Sequence, residues 1–303
     1  MAASLRIARD EATAARSPAH RVETPRPETA ALVAGTFRLM RYRLIAIDLD
    51  GTLLNSRGVV SPATGEALQR AAAAGVLLAP ATARWYQAAV RPFEQLGLNV
   101  AAIASAGADI RGADGTVLVQ DPLPASFAAF VADLCDRAGW PATLAVPAKA
   151  YRRANELPPW AANAPEWLQP VTHLRDADLS GLLAVLAEPQ PGDPYLHELE
   201  EWRGRVSMHS AVAFNGDGMV TFTAPGVDKG SGLLALCRSL GIDPAEAVAI
   251  GDSEVDIPMF PVAGLAVAVE SGTEAARAAA QRLIPSPDDD GIALLIDELL
   301  AGA

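Results

Sequence analysis

Apolar runs alternate with segments of helical period along most of this chain. Residues 44–47 (Leu-Ile-Ala-Ile) form an unbroken apolar run that predicts a buried strand. Ser61-Pro62 then opens a helix predicted to about residue 74, with Ser61 as cap, Pro62 in the first turn and Gly75 closing it. Residues 76–79 predict a strand that ends at Thr82, and residues 85–96 a helix stopped by Gly97. A short strand follows at 101–104. The last third repeats the pattern. It predicts a helix over 229–240 ended by Gly241, a helix start at Asp243-Pro244, strands at 247–250 and 265–269, and helices at 273–281 and 292–300. Strands alternating with crossover helices predict an α/β fold built on a parallel sheet.

Between these halves the texture changes. Residues 122–222 hold four of the five tryptophans (Trp140, Trp160, Trp167 and Trp202), and the strand candidates there are short: 142–146, 182–187, 205–209 and 211–214. A proline-punctuated stretch over 157–170 reads as a long loop. The expected organisation is a core of residues 40–121 and 223–303, interrupted by an inserted α+β module of residues 122–222. Residues 1–39 are mixed in charge, with prolines at 18, 25 and 27. They are expected to form a loosely ordered extension ahead of a domain that opens near Met40.

Composition narrows the function classes. A net charge of −12 argues against a nucleic-acid partner, which needs a basic face to neutralise phosphates. No apolar run reaches the length of a membrane span, and none follows the N-terminal arginines as a secretory signal would. Cys135 and Cys237 sit in apolar helical contexts and are expected as buried free thiols in a reducing cytoplasm. Lysine occurs only at Lys149 and Lys229, with arginine supplying the remaining positive charge.

The chemistry concentrates at strand ends. The run Asp48-Leu49-Asp50-Gly51-Thr52 follows the 44–47 strand, at the carboxyl end where open α/β sheets bind ligands. Gly51 permits a tight turn there, and Thr52 offers a hydroxyl or amide to hold the loop. Gly251-Asp252-Ser253-Glu254-Val255-Asp256 follows the 247–250 strand in the same way. A helix starting at Asp252 would set Asp252 and Asp256 on one face, as oxygen ligands for a hard divalent cation. Thr82 closes a strand with a hydroxyl suited to a phosphoryl oxygen. Lys229 stands at a predicted helix N-terminus, where its charge is disfavoured unless a compact cation is needed.

In that order, these motifs resemble the haloacid dehalogenase (HAD) superfamily of phosphotransferases. The insert between Thr82 and Lys229 is similar to that of the Cof-type, class IIB sugar-phosphatase branch. The likeness runs from Met40 to the C-terminus and includes Val227-Asp228-Lys229-Gly230, Asp256-Ile257-Pro258-Met259 and Asp290-Gly291-Ile292-Ala293. It implies a Rossmann-like core with an inserted α+β cap of the C2B type, and a Mg²⁺-dependent phosphatase acting on a small phosphomonoester such as a sugar phosphate. Asp48 would be the nucleophile, Asp50 the general acid and base, and Thr82 and Lys229 the holders of the phosphoryl oxygens. Gly51, Thr52, Ala83 and Arg84 would shape the phosphate and substrate loops. Mg²⁺ would rest on Asp48, the Asp50 carbonyl, Asp252 and Asp256, the last directly or through water. The resemblance also implies a cytoplasmic monomer or homodimer whose partner is a small phosphorylated metabolite. A phosphosugar mutase and a non-catalytic sugar-phosphate-binding protein are the alternatives.

The chain departs from the family pattern at four places. Val255 replaces an Asn, Ala83 replaces the Gly of Thr-Gly-Arg, Ala106-Gly107 replaces Asn-Gly, and Ser271-Gly272 replaces Asn-Ala. These changes remove polar support without removing a reacting group. In the insert, His173, His197 and His209 are expected to be structural or to touch substrate, Arg152-Arg153 to be a solvated pair, and the tryptophans to pack the insert's core.

Overall fold

The computed structural model describes residues 41–157, 166–212 and 218–302, with only the backbone described at Ala211 and Val212. The expected extension over 1–39, along with Trp160, lies outside the described residues.

Strand β1 (Leu44–Ile47) is buried throughout, as an unbroken apolar run covered on both faces requires. Helix α1 (Pro62–Ala73) starts where Ser61 Oγ accepts from the Thr64 N–H at 3.1 Å, with Pro62 in the first turn. Strand β2 (Leu77–Pro80), helix α2 (Tyr86–Glu94) and strand β3 (Ala102–Ala104) follow. Strands β4 (Asp109–Arg111) and β5 (Val117–Gln120) then fold back antiparallel, giving a small sheet of order β3-β4-β5. Residues 101–104 therefore do not extend the parallel sheet as a full strand. They touch it through one parallel bridge, Ala81 to Ile103.

Next come helix α3 (Ala125–Ala138) and strands β6 (Ala142–Val146), β7 (Lys149–Arg153), β8 (Leu168–Val171), β9 (Ala184–Ala187), β10 (Ser207–Val212) and β11 (Gly218–Thr223). They form a second, mostly antiparallel sheet of order β10-β11-β9-β6-β7-β8. The strands expected at 205–209 and 211–214 meet in one strand, β10, as far as Val212; residues 213 and 214 lie outside the described residues. The partner strand β11 is not among the strands expected from the sequence. The stretch expected as a loop over 157–170 ends in β8, which pairs parallel to β7, and its residues 158–165 lie outside the described residues.

The chain returns through α4 (Lys229–Leu240), β12 (Ala247–Gly251), β13 (Leu265–Val269), α5 (Glu274–Ala279), β14 (Arg282–Ile284) and α6 (Gly291–Ala301). Asp243-Pro244 opens only a three-residue helical turn, Pro244–Glu246. The main sheet has the order β14-β13-β12-β1-β2, with every pair parallel. From β1 the chain moves out to β2 and later returns to β12 on the opposite side, so β1 lies at the switch point of the sheet.

Side chains alternate across this sheet. Ile45, Ile47, Val248 and Ile250 pack with α1 and α6, while Leu44 and the small residues Ala46, Ala79, Ala249 and Ala268 lie in the cluster that holds α4. Alanine on that face lets α4 come close, and Gly230 carries the approach further: a Cβ there would sit 2.2 Å from the Pro258 carbonyl oxygen. The second sheet has its own core, in which Phe127, Val131 and Leu134 of α3 pack with Leu144, Val185 and Phe222. Trp140 and Trp202 are buried in that core, Trp202 with its ring 5.0 Å from Phe127, as expected for packing tryptophans.

Candidate active site

Three neighbouring strands end at one place. Strand β1 delivers Asp48, β12 on one side delivers Asp252, and β2 on the other leads to Thr82. The Asp48 N–H donates to the Ile250 carbonyl at 2.9 Å, which extends the ladder to the residue before the turn. Gly51 turns with φ +85°, and a Cβ there would fall 2.7 Å from Asp252 Oδ2. Only glycine fits both constraints. Thr52 is buried and donates its hydroxyl to Asp252 Oδ1 at 3.1 Å, tying the two acidic loops together.

Lys229 enters from the first turn of α4. Asp228 caps this helix by accepting from the Ser231 N–H at 2.7 Å, while Ser231 Oγ accepts from the Asp228 N–H at 2.9 Å. The Lys229 side chain is almost fully buried. Its Nζ donates to Asp48 Oδ1 at 2.6 Å and to Asp256 Oδ1 at 2.5 Å. Residues 252–256 are not the helix that their spacing suggested. They form a turn wrapped around the Asp256 carboxylate, whose Oδ2 accepts from the backbone of Asp252 (3.0 Å) and Ser253 (3.1 Å) and from Ser253 Oγ (3.2 Å). A completely buried carboxylate needs such donors, and the backbone bends to supply them.

The charges are unbalanced. One carboxylate oxygen each from Asp48, Asp252 and Asp256 lies within 4.8 Å of the others, with Lys229 as the cation in direct contact with two of them. Burial holds the Asp48 carboxyl well above the ordinary carboxylate range. Lys229 opposes that shift, and Asp256, Asp252 and Asp50 add to it. Burial, followed by the Asp256 charge, pushes Asp252 up to about 6. Burial lowers the Lys229 pKa, but the charges of Asp256 and Asp48 outweigh it and the net direction is upward. An all-oxygen cluster with surplus negative charge is the donor set of a hard divalent cation. Asp48 and Asp252 fit that use best, because both oxygens of Asp256 already have protein donors.

Asp50 and Arg84 stand apart from this cluster. The Asp50 side chain is 48% exposed and receives Arg84 Nε at 2.9 Å on Oδ2, with Nη2 on Oδ1. Arg84, expected to orient substrate, is thus engaged with Asp50 in a two-pronged pair. Thr82 is 2% exposed, and its hydroxyl accepts from the Arg84 N–H at 3.2 Å. The loop 82–84 is braced by a turn in which Ser105 and Ala106 both have positive φ (51° and 54°). The Ser105 N–H donates to the Arg84 carbonyl and the Ala106 N–H to the Thr82 carbonyl.

The second sheet leans over this face. Trp85 packs its ring 5.6 Å from Trp167, and Gln87 Nε2 donates to the Ala148 carbonyl at 2.8 Å. Arg111, paired with the buried Asp109 at 3.0 Å, reaches the Pro147 carbonyl. Arg152-Arg153 is not a solvated pair. Arg153 is buried, with Nη1 on Asp136 (3.0 Å), Nη2 on Glu156 (2.6 Å) and further donation to the Trp140 carbonyl (2.6 Å). Among the histidines, His173 and His197 are exposed, whereas His209 lines the space above Lys229 and Ala83. Ser253 went unassigned in the sequence, since it stands in no spacing that marks a role, whereas His209 was expected to be structural or to touch substrate.

An α/β protein with three acids and a buried lysine at the switch point of a parallel sheet is built to handle a phosphoryl group. The sequence profile of the haloacid dehalogenase-like hydrolases matches residues 45–296, and the chain belongs to that family. Several of its relatives carry phosphatase names. Pyridoxal phosphate phosphatase YbhA of Escherichia coli is 29% identical over 282 residues, covering 85% of this chain and 98% of that protein. The solved structure of a subclass IIB sugar phosphatase of the HAD superfamily superposes with a TM-score of 0.70 at 20% identity, over 84% of this chain and 98% of the other. That likeness shows the fold, including the inserted second sheet. Phosphoglycolate phosphatase of Haloarcula marismortui is 42% identical over 107 residues, which cover 35% of this chain and only 44% of that protein. The chain spans less than half the length of several curated relatives it matches. No helix of the described residues is long and apolar enough to cross a membrane.

Proposed function

We propose that this enzyme is a Mg²⁺-dependent phosphatase that hydrolyses a small phosphomonoester through an aspartyl-phosphate on Asp48. The observation that carries the reading is the buried Asp48 carboxylate, held by Lys229 at 2.6 Å beside Asp252. An Asp48 oxygen attacks phosphorus, and the bond to the leaving alcohol breaks. Asp50 gives its proton to the departing oxygen, then takes one from the water that attacks the same phosphorus and frees phosphate from Asp48. Lys229 and the Thr82 hydroxyl hold the phosphoryl oxygens as charge spreads over them. Arg84 keeps Asp50 at the mouth of the site between turnovers.

Asp48, Asp252 and the Asp50 carbonyl would hold Mg²⁺, with Asp256 positioning the loop or binding through water. When bound, the ion would neutralise the charge that gathers where a phosphate dianion meets two carboxylates. Residues 122–222 serve as a cap that closes over the site and excludes water. The relatives' names support a small phosphorylated metabolite as substrate, and a sugar phosphate is one such class.

A screen of phosphate esters with Mg²⁺ and with EDTA, on wild type and Asp48→Asn, tests this reading. The expected result is phosphate release from at least one ester by wild type alone, abolished by EDTA. Release from no ester, or equal release by Asp48→Asn, would overturn it.

A further inference from the structure

Trp85 belongs to the core by sequence and to the second sheet by contact. It follows Arg84 directly and stands just before α2, where its carbonyl accepts from the Ala89 N–H at 2.9 Å. A small polar residue at that position would cap the helix, and Trp85 makes no such bond. Its side chain is instead 9% exposed, packed with Ala145, Ala150, Leu168 and Ala184.

Those four residues form one row across the second sheet. Ala184 of β9 pairs with Ala145 of β6, Ala145 with Ala150 of β7, and Ala150 with Leu168 of β8. Directly paired residues point to the same side of a sheet, so three successive alanines leave a notch in its surface. The indole of Trp85 fills that notch. Its Nε1–H has no acceptor among the described residues. A buried donor without a partner recovers water when the notch empties, so the contact is close in shape and still able to part.

Neighbouring residues hold the same place. Gln87 Nε2 donates to the Ala148 carbonyl at 2.8 Å, and Arg111, its guanidinium 4.2 Å from the centre of the Tyr86 ring, donates to the Pro147 carbonyl. Both carbonyls lie in the β6–β7 turn, between Ala145 and Ala150 of the notch. On its other side Trp85 leads into the site. Arg84 holds both Asp50 oxygens, and the Arg84 N–H donates to Thr82 Oγ1 at 3.2 Å. The side chain seated in the second sheet and the side chain that holds Asp50 therefore belong to consecutive residues.

Resting on the phosphatase reading above, we propose that Trp85 is a positioning residue that makes the place of Asp50 depend on the seating of the cap. With the indole in its notch, residues 82–84 are anchored and Arg84 keeps Asp50 at the mouth of the site. With the cap lifted, the indole is uncovered and the loop loses that anchor. In the step concerned, the proton of the Asp50 carboxyl passes to the leaving oxygen as the bond from that oxygen to phosphorus breaks. The other Asp50 oxygen still accepts from Arg84, so the hold lasts through the transfer.

The test uses the full chain with Mg²⁺ and two kinds of substrate: the alkyl phosphate it hydrolyses best, and an activated phosphate such as p-nitrophenyl or acetyl phosphate. An activated leaving group departs without a proton, whereas an alkoxide needs one. Trp85→Ala should lower kcat/KM for the alkyl ester by about tenfold or more and for the activated one by less than about threefold. Trp85→Phe, which keeps a ring in the notch, should recover most of that loss. Ala145→Leu, which fills the notch from the cap side, should reproduce the selective loss from a residue remote from the chemistry. Equal losses on the two substrates, or no loss in Trp85→Ala, would overturn the inference and leave the phosphatase reading intact. Hydrolysis of no ester by the wild type would remove both. If Trp85→Ala does not fold, the milder Trp85→Leu is read in the same way.

Discussion

Replacing Lys229 with methionine keeps the length of the side chain and removes its charge. In the wild type, Nζ sits 2.6 Å from Asp48 and 2.5 Å from Asp256, with all three side chains less than a tenth exposed. Breaking a buried ion pair by deleting one partner costs about 3–5 kcal/mol, because the charge left behind has lost its partner but not its burial. Here two carboxylates are left, and they repel. For a folded unit of this size each kcal/mol is worth about 2–4 °C, so the melting temperature of Lys229→Met should fall by about 10 °C. The deficit should also depend on pH in a set direction. Burial already raises the Asp48 carboxyl above its unfolded value, and loss of Lys229 removes the positive charge that opposes this. The folded state then binds more protons than the unfolded one, so stability falls as pH rises through the raised pKa. Thermal melts without metal at about pH 8 and about pH 5 should show a large deficit at the first and a smaller one at the second. A Lys229→Met protein that melts with the wild type at pH 8, or whose deficit grows on acidification, would refute this reasoning.

Gly51→Ala forces a Cβ to 2.7 Å from Asp252 Oδ2 at φ +85°. The residue or Asp252 must move, and kcat/KM should drop about a hundredfold, with only a few degrees lost in a melt. An unchanged kcat/KM would show that the Asp252 position is not critical. Stabilisation by Mg²⁺ should weaken on acidification, because burial and the Asp256 charge push the Asp252 carboxyl up to about 6 and a proton on it competes with the ion. Melts at about pH 7.5 and about pH 5 check this, and equal Mg²⁺-induced gains at both would contradict it.

Much of the core was readable because its signals are local. Strand β1 is an unbroken apolar run, α1 and α4 have capping residues at one end and Gly75 and Gly241 at the other, and their bounds fall where those residues stand. The strands that escaped notice are short and partly polar. Strand β7 carries Lys149, Arg152 and Arg153, and reads as a solvated segment until Asp136 and Glu156 are brought to Arg153 by the fold. The four-residue spacing of Asp252 and Asp256 suits a helix as well as a turn. The turn wins because only it turns the Asp252 and Ser253 N–H groups onto a buried carboxylate.

The candidate site was legible as a set of residues and not as an arrangement. Lys229 stood out by its rarity, and its contact with both Asp48 and Asp256 comes from the close seat of α4. Asp48 and Asp50, two residues apart, were expected to take different roles, as nucleophile and as general acid and base. They differ sharply in burial because Arg84 draws Asp50 outward while Lys229 holds Asp48 within. Ala83, Ala106 and Val255 read one by one as lost polar support. Together they make one wall of a cavity, which no spacing along the chain reveals.

The central claim is that Asp48 itself accepts the phosphoryl group. A rapid-quench reaction with a labelled ester that the enzyme hydrolyses, stopped in acid and digested, tests it most directly. The account predicts acid-stable, hydroxylamine-labile label on the peptide that contains Asp48, appearing before free phosphate and absent from Asp48→Asn. Label on another residue, or phosphate formed at the full rate with no labelled peptide at any time, would contradict it.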